Sequence, residues 1–428
     1  MAADKRRLVV LGGGSGGLEL AASLSSDPSL SVTLVDKVGA HIWKPRLHEF
    51  AAGTVNSTLS EISFYMIAKM RGFRFEQGSV TGIDRAAKRV TLAAIETVDD
   101  HEMAASRSVP YDTCVVALGG ITADFGTAGV AENAVRLDAK IDADAFRERF
   151  VALMIHARET KSPAHVVIVG SGATGTELAA HLRLSERAFF ETPAAPVQAK
   201  LLDLTILEAA PEVMPGADAD LRAGILKRLA ALDVTVVTGA KIVAVDPEAV
   251  RSASGEVWRS DSTVWAAGSL GSPVLARLGG LELDRKGRLL VDPYLRTTLD
   301  SGVYALGDAA SVTPEGAVMA LPPTAQVASQ EAGYLARTLP KAMAGENVEP
   351  FHFRDKGKLV SLGNAGTVGL VGFARRDDLF IQGQFAKAAY HALQRQHQWA
   401  VLGLLRGSVA ILADIISPTK GPALKLHG

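Results

Sequence analysis

Short apolar runs that end on glycine recur along the chain. Leu8-Val9-Val10-Leu11 enters Gly12-x-Gly14-x-x-Gly17, and a helix-forming stretch from Leu18 to Leu24 follows. Four apolar residues in a row are too few for a free helix and predict a strand buried on both faces. Ser31 to Asp36 predicts the second strand, which closes on a carboxylate 19 residues past Gly17. The same order of strand, glycine turn and helix returns 158 residues later as His165 to Val169, Gly170-x-Gly172-x-x-Gly175 and Thr176-Glu177-Leu178. Its own second strand, Asp203 to Glu208, again closes on a carboxylate. Repetition of a supersecondary unit sets the architecture, here α/β with two Rossmann-like domains.

Between and after these units the pattern is weaker. Arg74 to Val80 and Arg89 to Leu92 alternate as half-buried strands, and Glu96 to Ser108 is predicted to be a polar connection. Tyr111-Asp112 leads a buried strand to Gly119-Gly120, while Val234 to Val237 and Thr263 to Gly268 extend the second unit. Gly302 to Ala310 is a short strand ending in Gly307-Asp308. Pro45 starts a short helix just after Trp43 and Lys44, and Pro322-Pro323 precede one in which Gln326 and Gln330, four apart, share a face. From Phe380 the character changes. Gln384 to Gln398 predicts a helix, and Val409 to Ile416 a further one with Val409, Leu412 and Ile416 on one face, widened by Leu404, Leu405, Ile411 and Ile415. Residues 380–428 carry five basic groups against Asp414, a net +4. Cationic, apolar-faced helices interrupted at Gly403, Arg406 and Gly407 fit an element lying in a membrane interface. Packing on the body or on a second copy is the alternative.

Composition narrows the chemistry. The net charge is −1, with no basic stripe, so nucleic acid is excluded as a partner. The single cysteine, Cys114, lies in an apolar run, which rules out an intrachain disulfide and a redox cysteine pair. The ten histidines show no HxxxH or HExxH spacing, so no structural metal is expected. Arg6-Arg7 precedes an apolar run too short and glycine-broken for an export signal, and no run of about 18 apolar residues spans a bilayer.

The glycine turns supply the positive evidence. In each, the first Gly allows the turn, the second lets a pyrophosphate touch the backbone and the third lets helix and strand pack closely. The helix N-terminus adds free amides and a positive dipole end. Asp36 and Glu208 are placed to accept ribose hydroxyls, and a carboxylate at 208 repels a 2′-phosphate, so NADH is expected over NADPH. Arg222 or Arg228 either compensates or is a solvated residue of a predicted amphipathic helix. Asp308 either holds hydroxyls of a ribityl chain or is an ordinary turn residue. Lys44 is either a surface charge or a group at the site.

These motifs together resemble the two-dinucleotide-binding-domain flavoproteins, and within them the chain is similar to type II NADH:quinone oxidoreductases of the enterobacterial-like branch. The resemblance rests on Gly12 to Glu19, Trp43-Lys44-Pro45 with Leu47-His48-Glu49, Gly172 to Gly175 with Glu177-Leu178, and Trp265 to Gly268. It rests further on Ala325 to Gln330, His397-Gln398 and the closing Leu424-Lys425-Leu426-His427. It implies a glutathione-reductase-like fold with an FAD domain at 1–120 and 291–379, an NADH domain at 121–290 and membrane-anchoring helices at 380–428. Non-covalent FAD is implied at Gly12, Gly14, Ser15, Gly16, Gly17, Asp36, Lys44, Val80, Ala117, Gly119, Gly307, Asp308, Ala325 and Gln326. NADH as substrate is implied at Gly170, Gly172, Ala173, Thr174, Gly175, Glu177, Glu208, Ala267 and Gly268.

The implied activity is respiratory and non-proton-pumping: hydride from NADH to FAD, then two-electron reduction of a membrane quinone, ubiquinone or menaquinone. Glu177, Lys44, Gln326 and Gln330 are the catalytic candidates. By analogy with flavin reductases Glu177 is expected near the flavin, paired with Lys44. Gln326 and Gln330 either bond quinone carbonyls or cap backbone groups in a polar crevice. The implied location is the cytoplasmic face of the bacterial inner membrane, with homodimerisation left open. Arg46 departs from the family pattern, where an apolar residue is usual, and Ala309 and Val312 stand where some relatives carry cysteines. A soluble reductase serving an iron–sulfur carrier and a non-enzymatic NADH sensor are the competing classes. Sulfide:quinone oxidoreductase chemistry needs flavin-side cysteines that Cys114 alone does not supply.

Overall fold

The computed structural model describes residues 5–96, 102–190, 200–363, 366–373 and 376–416; Lys420 and the closing Leu424 to His427 motif lie outside them. In the first sheet Arg6–Leu11 lies between Leu30–Asp36 and Thr113–Val116, with Arg74–Gln77 and Asp300–Ala305 outside them, all parallel. The late strand, Asp300–Ala305, thus rejoins a sheet whose other parallel strands end at residue 116. In the second sheet Ala164–Val169 lies between Leu202–Leu207 and Ser262–Trp265, flanked by Val234–Val237 and Ala134–Val135, again all parallel.

The unbroken apolar runs follow from burial on both faces. Leu8, Val10 and Leu34 pack with Leu18 and Leu335 of the helices Ser15–Leu24 and Ala325–Met343. Val9, Leu11 and Cys114 face the opposite way, onto Val80, Val90 and Leu92 of an antiparallel meander. That meander corrects one expectation. Within the stretch read as a polar connection, Arg107–Pro110 pairs with Arg89–Leu92, and Glu102–Ala104 pairs with Ile95–Glu96. The polar side chains lie on partly exposed edges, where ladder hydrogen bonds rather than an apolar face hold the strands.

The helix Lys140–Thr160 buries Ala143, Phe146, Phe150, Met154 and Ala157, three or four apart, against the second sheet. Gly120–Thr122 and Ser269–Gly271 form an antiparallel pair joining the two units. The Trp265 indole N–H donates to Ala123 O at 2.7 Å across the same junction.

After a three-stranded antiparallel sheet over residues 358–382, helix Gln384–Leu402 runs to Gly403, whose φ of +82° ends it. Helix Leu404–Ile416 follows without a further break, so Arg406 and Gly407 do not interrupt it as expected. The two helices differ in kind. The first buries Ala386, Tyr390, His397 and Val401 and belongs to the body. The second leaves Leu404, Leu405, Val409, Leu412 and Ile416 at least 56% exposed. Among the described residues no helix is long and apolar enough to cross a membrane.

Both glycine turns are closed by backbone contact. A Cβ on Gly17 would lie 2.0 Å from Gly12 O, and one on Gly175 2.1 Å from Gly170 O. Gly12 and Gly170 themselves hold φ of +102° and +109°. No flexible side chain can yield there, so Gly175→Ala is expected to cost about 2 kcal/mol or more of stability, read as a lowered midpoint in urea unfolding of the purified chain.

Candidate active site

At the second glycine of each turn the crowding vanishes. A Cβ on Gly14, Gly172 or Gly119 would meet nothing within 4 Å. No side chain caps the N-terminus of helix Ser15–Leu24, so its first amides face the same open space. Open space of this kind suits a phosphate-bearing ligand, and it occurs at both turns.

The carboxylates closing the second strands organise the turns from below. Asp36 accepts from Gly13 N at 2.6 Å and from Val38 N at 3.0 Å. Glu208 accepts from Ser171 N at 2.9 Å, Ser171 Oγ at 2.6 Å and Ala210 N at 2.8 Å. Both side chains are pinned by donors before any ligand arrives, and Glu208 keeps a place in the cavity wall with Gly170, Gly172, Ala267 and Gly268.

Neighbouring cavities with shared lining residues lie between the two cradles. The first is lined by Gly14, Ser15, Gly16, Gly17, Lys44, Ala117, Gly119, Thr174, Gly307, Asp308 and Ala325. The middle one is lined by Lys44, Gly120, Thr174, Asp308 and Gly268, and so shares residues with both its neighbours. Ala173 precedes Thr174 at the start of helix Ala173–Phe190, while Val80 packs in the core beneath the first sheet. The FAD and NADH candidates, 158 residues apart in the chain, therefore line adjacent cavities at the junction of the units.

Lys44 and Glu177 do not pair. Lys44 Nζ donates to Gly120 O at 3.1 Å and lies close enough to Asp308 to oppose the rise that burial imposes on that carboxyl. Glu177 turns the other way, accepting from Ser361 N at 2.9 Å and lying 3.4 Å from His48 Nδ1. The second turn of helix Ala173–Phe190 thus directs Glu177 at the C-terminal sheet. Burial pushes the Glu177 carboxyl up to about 8 against that single N–H, with Glu49 adding to the rise. Glu331, unmarked in the sequence, behaves alike. It accepts from Gly307 N at 2.6 Å beneath the Gly307-Asp308 turn, and burial carries it to about 8.

Next to Glu177 lies a buried group that histidine spacing did not announce. His48, Glu49 and His181 bring one donor atom each within 4.8 Å of one another, and the Nε2 atoms of both histidines have no partner. Arg46 explains its own departure from the family pattern, since its Nε and Nη2 both meet Glu49 Oε2 at 2.7 Å. That guanidinium holds Glu49 low against the pull of burial.

Gln326 and Gln330 do share a face, and both meet the backbone. Gln326 accepts from Lys356 N at 2.7 Å and donates to Gly357 O at 3.1 Å. Gln330 accepts from Arg354 N at 3.0 Å and donates to Arg354 O at 2.9 Å. Of the two readings left open for this pair, the capping one describes their bonds. They still line a pocket with Ser15, Glu19, Trp43, Ser329, Leu393 and His397, and through Ser15 and Ala325 it adjoins the first cradle.

The family model for the pyridine nucleotide-disulphide oxidoreductases matches residues 6–332. The chain is 32% identical to the type II NADH:quinone oxidoreductase of Haemophilus influenzae, covering 99% of this chain and 100% of that protein. It belongs to the type II NADH:quinone oxidoreductases. The enzyme of that name from Staphylococcus aureus is 28% identical over 87% of this chain and 91% of its own. Among solved structures, the NDH2 of Plasmodium falciparum in complex with NADH superposes with a TM-score of 0.78 at 18% identity, over 96% of this chain and 99% of that one. The sulfide:quinone oxidoreductase of Aquifex aeolicus shares the fold at a TM-score of 0.75 and 17% identity, over 99% of this chain and 96% of that one.

The two raised carboxyls carry a pH signature. Unfolded, Glu177 and Glu331 ionise near 4.5; folded, they keep their protons until about 8. Stability from this source is whole below pH 4.5 and is lost as pH rises through the folded values. Thermal melting of the purified chain between pH 5 and pH 8.5 is expected to fall with pH, and Glu177→Gln to flatten the slope.

Proposed function

We infer that this chain is an FAD-dependent NADH:quinone oxidoreductase. The observation that carries the reading is the row of adjoining cavities between two glycine cradles, with a further pocket against the FAD end. FAD, when bound, supplies the two-electron chemistry between NADH and the quinone. The residues supply position. In this reading segments 1–120 and 291–379 hold FAD, with the pyrophosphate over Gly14 to Gly17, and segment 121–290 holds NADH over Gly172. Lys44 and Asp308 stand where the two ligands meet. Glu208 accepts adenosine ribose hydroxyls and disfavours a 2′-phosphate; Glu208→Gln is expected to shrink the NADH-over-NADPH ratio of kcat/KM at least tenfold in steady-state assays.

The pocket of Gln326, Gln330, Leu393 and His397 is the quinone site in this reading. Its glutamines act mainly by holding the Arg354–Gly357 backbone as a wall, with one Gln326 N–H left for a carbonyl. Leu393→Trp, which fills the pocket, is expected to raise the KM for a soluble quinone at least fivefold. Bleaching of the flavin by NADH should be unchanged.

Helix Leu404–Ile416 is the membrane-facing element, lying in the interface at the cytoplasmic face. What supports this is the exposed stripe of Leu404, Leu405, Val409, Leu412 and Ile416. Deletion of the whole tail from residue 381 is a poor test, because helix Gln384–Leu402 is part of the core. Leu405→Glu with Leu412→Glu is the cleaner one. The double variant is expected to stop co-sedimenting with anionic vesicles while keeping FAD. A second copy covering the stripe would instead appear as a dimer that the same variant splits.

A further inference from the structure

Glu19 lies on the first helix, His41 in a short strand and His397 on the C-terminal body helix, and all three are at least 92% buried. They form a single file. Glu19 Oε1 meets His397 Nδ1 at 2.6 Å, His397 Nε2 meets His41 Nε2 at 2.9 Å, and His41 Nδ1 meets Gly13 O at 2.9 Å. The other Glu19 oxygen accepts from Ser329 Oγ at 2.8 Å. Trp43 stacks on the His397 ring, with centroids 6.3 Å apart and planes 20° apart, and fixes its orientation. Glu19, Ser329 and His397 all line the pocket read above as the quinone site.

Counting protons along this file leaves little choice. Gly13 O only accepts, so His41 Nδ1 carries a hydrogen. A neutral His41 then has a bare Nε2, and His41 is neutral because burial, with His397 beside it, holds it down to about 3. The His397 Nε2 facing it must therefore be the donor. His397 Nδ1 still has to meet a carboxyl oxygen at 2.6 Å, which requires a hydrogen between them. Whether that hydrogen sits on the imidazole or on the carboxyl, the pair holds one proton more than a neutral histidine beside a carboxylate.

We propose that the Glu19–His397 pair is the proton donor to the quinone, with His41 a positioning residue that fixes its tautomer. The proposal rests on reading the pocket as the quinone site. Making a quinol from a quinone and NADH takes one hydride equivalent and one proton. NADH supplies the first. The second leaves the Glu19–His397 bond through Glu19, at the wall shared with Ser329, and forms the quinol O–H. The pair is left as carboxylate and neutral imidazole, and recovers its proton from water at the pocket mouth. Lys356 is the remaining charged group lining the pocket among the described residues, and it favours the transient anion.

Two measurements test this. Histidine-selective ¹⁵N NMR of the FAD-loaded protein should find His41 as the neutral Nδ1–H tautomer and His397 with hydrogen at both nitrogens, one shared with Glu19. A His41 protonated at Nε2, or a His397 with one bare nitrogen beside an ionised Glu19, overturns the proposal without any variant. In anaerobic stopped flow, enzyme prereduced with NADH is mixed with a soluble short-chain quinone in H₂O and in D₂O. Glu19→Gln and His397→Asn are each expected to slow the quinone step at least tenfold, leave NADH bleaching within twofold, and change the solvent isotope effect. A wild-type quinone rate in either flavin-replete variant overturns the donor role. If Leu393→Trp still raises the quinone KM in that case, the pocket stands and the relay falls. If Leu393→Trp is also silent, the site assignment falls with it.

Discussion

Backbone pressed on backbone at two turns is the constraint on which the molecule depends. At Gly17 against Gly12 O and at Gly175 against Gly170 O there is no room for one carbon. That contact draws each first helix down onto its strand, so the helix N-terminus emerges over an open floor rather than over side chains. The open floor then makes the phosphate cradle, and the repeat makes two. Placing both cradles at one junction needs only the strand pair Gly120–Thr122 with Ser269–Gly271 and the Trp265 bond across it. The two turns are brought together largely by main chain.

The buried carboxylates divide by how many donors answer them. Glu208 has three, from two backbone amides and a hydroxyl, and Asp36 has two. Each is held in place by those donors, with its carboxylate beside the glycine turn. Glu177 and Glu331 have one backbone amide each, too little to offset desolvation, and they keep their protons. Glu19 is answered by a hydroxyl and an imidazole and so shares a proton instead of losing or keeping it. The roles of these carboxyls thus differ with the kind of partner as well as with its number.

What was legible in the sequence follows the range of each interaction. The turns, their carboxylates and the returning strand at Gly307-Asp308 are local patterns whose residue types are forced by geometry. Helix Lys140–Thr160 was not anticipated: its buried positions recur at three- and four-residue spacing, but the stretch carries no motif to mark it. The partnership of Lys44 with Glu177 misled because motif position locates a Cα, whereas side-chain direction is set by what packs behind it. Here that is Ser361 and the His48 cluster, on elements distant in the chain. The amides of Gln326 and Gln330 were visible as a pair, but the loop that binds them lies 24 to 31 residues away. No pattern could have joined Glu19 to His397, 378 positions apart.

The C-terminal helices show how such distant residues come to matter together. Helix Gln384–Leu402 brings Leu393 and His397 to the pocket on one side and buries Val401 in the first unit's core on the other. Helix Leu404–Ile416 presents its apolar stripe one glycine later. Arg406 donates to Met70 O at 3.3 Å, and Gly403, at φ +82°, lies beside the Arg71 guanidinium, so the second helix keeps contact with the first unit. A surface that seats the stripe therefore also loads the element carrying His397. Exposed apolar stripe and pocket wall are thus carried by successive helices joined at a single glycine.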